Sequence, residues 1–365
     1  MMEKVKYNHS YENSLCYKLP LSEKIGLKEA AEYIRLIDSV FVGVNKIAYL
    51  ENWERVNYDG SLSVSSDIAV KEGAAQDLAA LQKFAASHGT VLSYSFKAVG
   101  DAVTLNKRFQ SVMPLIKECK TVCIDRLFTE VEDEISVKTV YAAASHNIDL
   151  VTDYLVLSDA DEEFAEKIIG KVPFAFYLSQ SLISYLKYPA SVLCGNKTVG
   201  VKMQNLFGES ADVKTILQKG KKVEDNLIYE FCTKFLRWRY LNSLERLSCT
   251  VTADDTVACF SKGVATSLKN GGTEISGFAA EKGDEVVYPT EWLKSGSAVC
   301  YTQKGGAQER NLSKLLGYAT SQNVELCEIT GEGISPKKRL LALKGGILSF
   351  SLDPDDSTAF LITKM

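Results

Sequence analysis

From about residue 20 to 245, short apolar runs alternate with stretches in which apolar positions recur every three or four residues. Buried strands produce the first pattern and amphipathic helices the second, so the alternation predicts a βα architecture on a parallel sheet. Residues 40–50 read as a first strand, and 74–88 as a helix with Leu78, Leu81 and Ala85 on one face. Residues 90–96 begin the next unit. A helix over 105–119 leads to a strand ending at Asp125, and one over 136–146 leads to a strand over 148–157. Short strands are predicted at 172–177 and 191–194, with a weaker one at 199–206. The clearest helix spans 224–247, where Leu227, Phe231, Phe235, Trp238, Leu241 and Leu244 recur at helical spacing. The expected fold is a TIM-type (β/α) barrel, complete or incomplete, over residues 1–247, with a doubly wound sheet as the rival.

After Ser248 the texture changes. Short alternating runs such as Val257-Ala258-Cys259-Phe260 and Ala298-Val299-Cys300-Tyr301 are separated by Asn270-Gly271-Gly272, Lys304-Gly305-Gly306 and Gly345-Gly346. Turn signals at this density predict an antiparallel β-sandwich over residues 248–365, its last strands at 340–343, 347–352 and 359–363. No internal repeat or low-complexity tract interrupts either region.

Composition narrows the function. The 365 residues are 46% apolar, ample for two cores, and 42 Lys and Arg nearly balance 46 Asp and Glu. So balanced a surface does not recruit nucleic acid or an anionic membrane, and it favours a neutral or small substrate. The start of the chain lacks the apolar segment of a signal peptide, and no run approaches the roughly 20 apolar residues that span a bilayer, so the expected compartment is the cytoplasm. Nine scattered cysteines without a C-x-x-C pair read as buried free thiols. The three histidines stand apart from any cysteine cluster, so neither a metal nor another cofactor is expected.

Two carboxylates then draw attention. Asp125 closes the apolar run Thr121-Val122-Cys123-Ile124, and Asp153 follows Ile148-Asp149-Leu150-Val151-Thr152. In a parallel barrel the functional groups gather at the C-terminal ends of the strands, where neighbouring strands bring two acids together. Glycoside hydrolysis uses such a pair, one carboxylate attacking or activating water while the other protonates the departing oxygen. The structural alternative for Asp125 is pairing with Arg126 or Lys138, and for any strand-end Asp it is a helix cap.

Several segments resemble the glycoside hydrolases of the endo-α-N-acetylgalactosaminidase type, family 101. Ile124-Asp125-Arg126-Leu127-Phe128 is similar to that family's strand ending in Asp-Ala-Phe, whose Asp is the nucleophile. Asn147 to Tyr154 is similar to its Gly-Ile-Asp-Val-Thr-Ser-Glu-Phe, whose Glu is the general acid/base. Further blocks follow in the family's order: Ser179-Gln180-Ser181-Leu182 with Pro189-Ala190-Ser191, Glu230-Phe231-Cys232-Thr233 with Trp238-Arg239-Tyr240, and Gly283-Asp284-Glu285 with Tyr288-Pro289. The resemblance implies a glycosidase acting on an α-linked galacto- or N-acetylgalactosamine-type oligosaccharide or glycoside, with Asp125 as nucleophile and Asp153 as acid/base. Asp153 replaces the family's Glu and withdraws that carboxyl by one methylene. Around Trp53 and Lys97 the family's usual loops are replaced as well.

Other residues are candidates for contacts with a sugar. Trp53 is a candidate stacking platform, with packing at the barrel mouth as its plain alternative. Glu51, Glu54 and Glu130 lie past strand ends and are candidates to stand in for the missing Glu. Lys97, Asp101 and Tyr177 are candidates for hydrogen bonds to hydroxyls. Two rival functions follow: a non-catalytic carbohydrate-binding descendant, and an aldolase- or isomerase-like barrel using the Lys97 amine as nucleophile.

Overall fold

The computed structural model describes residues 14–22, 25–41, 43–65, 74–98, 101–116, 120–125, 134–152, 174–177, 199–202, 228–229, 231–232, 236, 244–251, 256–261, 265–269, 272–276, 286–289, 296–302, 305–353 and 358–365. The chain forms two compact units, Met1–Arg35 with Val44–Asn205, and Leu36–Gly43 with Leu206–Met365.

In the first unit the elements run β1 (Ser14–Pro20), α1 (Leu27–Val40, its residues from Leu36 on belonging to the second unit), β2 (Asn45–Glu51), β3 (Glu54–Val56), β4 (Leu62–Val64) and α2 (Ala74–Ser87). They continue with β5 (Thr90–Lys97), α3 (Ala102–Val112), β6 (Thr121–Asp125), α4 (Glu134–Ser145), β7 (Asp149–Thr152), β8 (Phe174–Tyr177) and β9 (Val199–Lys202). Strands β1-β2-β5-β6-β7-β8-β9 form a closed parallel barrel in that order, β9 returning to pair with β1. The weak run at 199–206 thus supplies the closing strand, while the expected strand at 191–194 lies outside the described residues. β1 was not expected. Its alternating residues Tyr17 and Leu19 are buried, but Lys18 between them breaks the apolar run that a sequence reading looks for.

One alternation runs around the ring. Lys18 stands in register with Tyr49, Tyr49 with Ser93, and Thr121 with Asp149. The Tyr49 hydroxyl lies 3.1 Å from Thr121 Oγ1, and Ser93 Oγ donates to the Thr121 carbonyl, so Lys18, Tyr49, Ser93 and Thr121 face the barrel interior. The alternate residues pack outward against helices: Tyr17 lies 6.0 Å from Tyr33 of α1, and Phe96 lies 5.4 Å from Phe109 of α3. β5 shows the consequence, with Leu92, Tyr94 and Phe96 outside and Ser93, Ser95 and Lys97 inside. Leu78, Leu81 and Ala85 form the buried stripe of α2, as their spacing requires.

In the second unit, the helix predicted over 224–247 is described only in part. Residues 228–229 and 236 are helical and 231–232 take a π-type turn, with Ile228, Phe231, Cys232 and Leu236 buried. That helix stops short of Arg246, where β10 (Arg246–Val251) begins an antiparallel meander with β11 (Thr256–Phe260), β12 (Ala265–Lys269) and β13 (Gly272–Ser276). β14 (Val286–Pro289), β15 (Ser297–Thr302), β16 (Gly306–Asn311), α5 (Leu312–Leu316), β17 (Asn323–Thr330), β18 (Gly333–Ala342), β19 (Ile347–Leu352) and β20 (Thr358–Lys364) follow. The five-stranded sheet β14-β15-β20-β17-β18 and the β16-β19 ribbon enclose one core, in which Cys300, Leu326, Leu348, Phe360 and Ile362 are buried. These antiparallel sheets carry the pattern that begins after Ser248. No described helix is long and apolar enough to cross a membrane.

Gly333 opens β18 at φ 121°, and a Cβ built on it would lie 2.2 Å from the Ser39 carbonyl oxygen. Gly345 has φ 61° with nothing within 4 Å of such a Cβ. Gly345→Ala is therefore expected to cost about 1 kcal/mol, from backbone strain alone. Gly333→Ala is expected to cost roughly 3 kcal/mol or more, because a backbone oxygen cannot step aside. Urea denaturation of the full-length protein checks the ranking, and equal losses would contradict it.

Candidate functional site

The C-terminal ends of the barrel strands carry a charged rim. β2 ends at Glu51, β5 at Lys97, β6 at Asp125, β8 at Tyr177 and β9 at Lys202. Glu51 and Lys97 share the alternation of Tyr49 and Ser93, and Asp125 occupies the strand position four beyond Thr121. Lys97 and Asp125 are paired in register on adjacent strands, whose backbones stand about 4.8 Å apart in a sheet. Four of the expected site residues, Glu51, Lys97, Asp125 and Tyr177, thus end barrel strands. β7 runs to Thr152, the residue before Asp153; Asp153 and Glu130 lie outside the described residues, as do Trp238 and Trp292.

The loop after β2 revises two expectations. Glu51 is joined to Lys18 of β1 at 2.8 Å, with the lysine side chain only 12% exposed. This carboxylate neutralises a lysine that faces the interior, a partner invisible while β1 went unrecognised. Asn52 then takes φ 58°, a left-handed turn that Asn tolerates, and its Nδ2 donates to the Leu21 carbonyl at 3.2 Å. The turn folds Trp53 back under the sheet edge. Trp53 is 1% exposed, its Nε1 donates to the Ser95 carbonyl at 2.7 Å, and its ring meets Tyr94 edge-on at 4.8 Å. Because Tyr94 belongs to the outward, helix-facing set, the indole packs as interior and presents no open face for a sugar. The stacking platform expected at Trp53 is corrected accordingly.

Glu54 opens β3 and faces Arg108 of α3 electrostatically. Burial pushes the Arg108 guanidinium pKa down, and Glu54 pulls it back up. Arg108 is 5% exposed and its Nη1 donates to the Lys97 carbonyl at 2.7 Å. The Lys97 side chain is exposed. Lys138, one structural partner considered for Asp125, pairs with Glu134 one turn before it on α4.

Asp101 is accounted for differently from expectation. It is the N-cap of α3, its Oδ1 accepting from the Thr104 amide at 2.8 Å, and that bond holds its carboxyl below the usual range. Among the described residues no group of His, Cys, Asp and Glu gathers as a metal site. Cys123, Cys232, Cys259, Cys300 and Cys327 are free thiols.

No family model matches the chain, and no curated protein sequence does. Among solved structures it is similar to an endoxylanase from Clostridium papyrosolvens, at 10% identity and TM-score 0.37 over 100% of this chain and 98% of that one. It is similar to an α-N-acetylgalactosaminidase from Bifidobacterium bifidum in complex with GalNAc, at 7% identity and TM-score 0.46 over 74% and 58%. A third likeness is to a protein described as a putative α-N-acetylgalactosaminidase from Bacillus halodurans, at 7% identity and TM-score 0.37 over 98% and 99%. Likenesses this distant assign neither a family nor a substrate.

Two measurements follow from these contacts. In a double-mutant cycle, Lys18→Met and Glu51→Gln are expected to show a coupling of about 1 kcal/mol in urea unfolding, since the pair is largely shielded from water. Strict additivity would contradict the pairing. For Asp101 the folded pKa is depressed, so the cap's contribution is complete above the ordinary carboxyl range and fades as pH falls through the folded value. Asp101→Ala is expected to lower the melting temperature at pH 7, with the difference shrinking below about pH 4. A difference that stays constant across that range would contradict the charged cap.

Proposed function

We propose that this protein is a glycoside hydrolase of the two-carboxylate type, acting on an α-linked galacto- or N-acetylgalactosamine-type glycoside in the cytoplasm. The observation that carries the reading is the position of Asp125, the last residue of β6 at the C-terminal rim of a closed parallel barrel. Its neighbour β7 leads directly into Asp153, and the motifs around both acids resemble the endo-α-N-acetylgalactosaminidase type of enzyme.

In this reading Asp125 attacks the anomeric carbon while Asp153 gives its proton to the departing oxygen. A water then enters, deprotonated by the same Asp153, and breaks the glycosyl–Asp125 ester. The C–O bond made in the first step is the one broken in the second, so the sugar leaves with its configuration retained. Retention requires the carboxyls about 5 to 5.5 Å apart, whereas inversion leaves roughly 6.5 to 9.5 Å for a water. The shorter Asp153 side chain makes the first-formed anomer informative about that spacing. Lys97 stands next in register to Asp125 on the adjacent strand, and the interior Lys18–Glu51 pair lies at the end of β2 on the same rim.

Wild type is expected to release aglycone from at least one aryl α-galactoside or α-N-acetylgalactosaminide, and Asp125→Asn to lower that rate by a hundredfold or more. Saturable sugar binding with no turnover by a folded wild type would overturn the catalytic reading and leave a carbohydrate-binding barrel. Equal rates for the two proteins would remove Asp125 from the mechanism.

A further inference from the structure

The end of β5 is held by a device that strand pairing alone does not explain. On one side β5 pairs with β6 through Lys97 opposite Asp125. On the other its pairing with β2 stops at Tyr94 opposite Leu50, so Ser95, Phe96 and Lys97 lie beyond the last residue of β5 that pairs with β2. A strand end beyond its pairing leaves carbonyls in need of donors. Here the Ser95 carbonyl accepts from Trp53 Nε1 and the Lys97 carbonyl from Arg108 Nη1, each at 2.7 Å.

Both donors are buried, at 1% and 5% exposure, and each is itself anchored. Tyr94 buttresses the indole edge-on, and the guanidinium lies in the field of Glu54. Arg108 and Glu54 come from different elements, as do Trp53 and its acceptor, so the contacts tie the β2 loop and α3 to one strand end. The segment they fix carries Lys97, and its pairing with β6 sets the backbone position of Asp125.

The geometry points to Arg108 and Trp53 as positioning residues: a two-point clamp on the C-terminal end of β5 that holds the Lys97–Asp125 register at the barrel rim. This role rests on the glycosidase reading for its catalytic consequence, but the clamp itself is testable without turnover. It also gives Trp53 a function that its burial permits, a hydrogen bond to backbone rather than contact with sugar. Arg108 donates a charge-assisted bond, and Trp53→Phe removes the indole N–H together with one ring of the bicycle while keeping an aromatic side chain at that position.

The test uses the full-length protein as wild type, Trp53→Phe, Arg108→Met and Arg108→Lys, with thermal unfolding to establish that each is folded. Hydrogen exchange by mass spectrometry is read for the peptides covering 93–98 and 121–125, with 323–342 in the other unit as internal reference. Arg108→Met and Trp53→Phe are expected to raise exchange in the first two peptides roughly tenfold, the effect of losing one buried hydrogen bond, and to leave the reference unchanged. Arg108→Lys is expected to recover part of the protection. On a turned-over glycoside, Arg108→Met is expected to lower kcat between roughly tenfold and a hundredfold with KM nearly constant, because a small displacement of a reacting group costs that much. Unchanged exchange overturns the clamp. Raised exchange with an unaltered kcat overturns the positioning role. Raised local exchange in a protein whose wild type hydrolyses no aryl α-galactoside or α-N-acetylgalactosaminide upholds the clamp and counts against the glycosidase reading alone.

Discussion

Everything assigned to the rim depends on one constraint, the two-residue alternation of side chains in a closed ring of parallel strands. Closure leaves no free edge along which register can slip unnoticed, and each in-register pair transmits the same inside–outside choice to its neighbour. The interior hydrogen bond between Tyr49 and Thr121 marks which set faces in. Once that set is identified, Lys18, Glu51 and Lys97 fall on the inner side of three strands and Tyr94 and Phe96 on the outer side, with no further freedom. A shift of one residue in β5 would place Lys97 among the helices and Phe96 in the interior.

The rim is therefore built by a combination of shared register and local repair. Where strands are of unequal length, backbone groups at the longer end lose their partners, and side chains replace them. The indole of Trp53 and the guanidinium of Arg108 do this for β5, and the Leu21 amide donates to the Glu51 carbonyl at 3.0 Å as the chain leaves β1 beside β2. Charges entering the interior are balanced in the same local way, Lys18 by Glu51. Such arrangements hold strand-end groups on rigid elements, a requirement for chemistry that depends on their spacing.

How much of this was legible in the sequence varied with the physics behind each element. Strands whose outer face is apolar and whose inner residues are small, such as β5 and β6, read as runs of buried residues and were found close to their true limits. β1 was missed because an interior lysine breaks its pattern, and without β1 the partner of Glu51 had no place to stand. Asp125 stands out as a candidate because a charged residue closing an apolar run is costly unless it is used or exposed, and the structure adds that it ends β6. The role of Trp53 was not recognisable, since nothing local distinguishes an indole that stacks on a ligand from one that donates to a strand end. Arg108 was overlooked for a related reason: its acceptor is a backbone carbonyl eleven residues earlier, and such acceptors leave no mark in a sequence. Asp101 followed the ordinary rule for helix starts, and its capping contact with Thr104 outweighs its nearness to the rim.

The central claim, that Asp125 is the group that bonds to the sugar, is tested most directly by trapping. The full-length protein would be incubated with an activated fluoroglycoside of α-galacto configuration, digested and sequenced by mass spectrometry. The account predicts one glycosyl adduct per chain, on the carboxyl of Asp125, absent from Asp125→Asn. An adduct on another carboxylate such as Glu51, in a protein that turns over the parent glycoside, would contradict it.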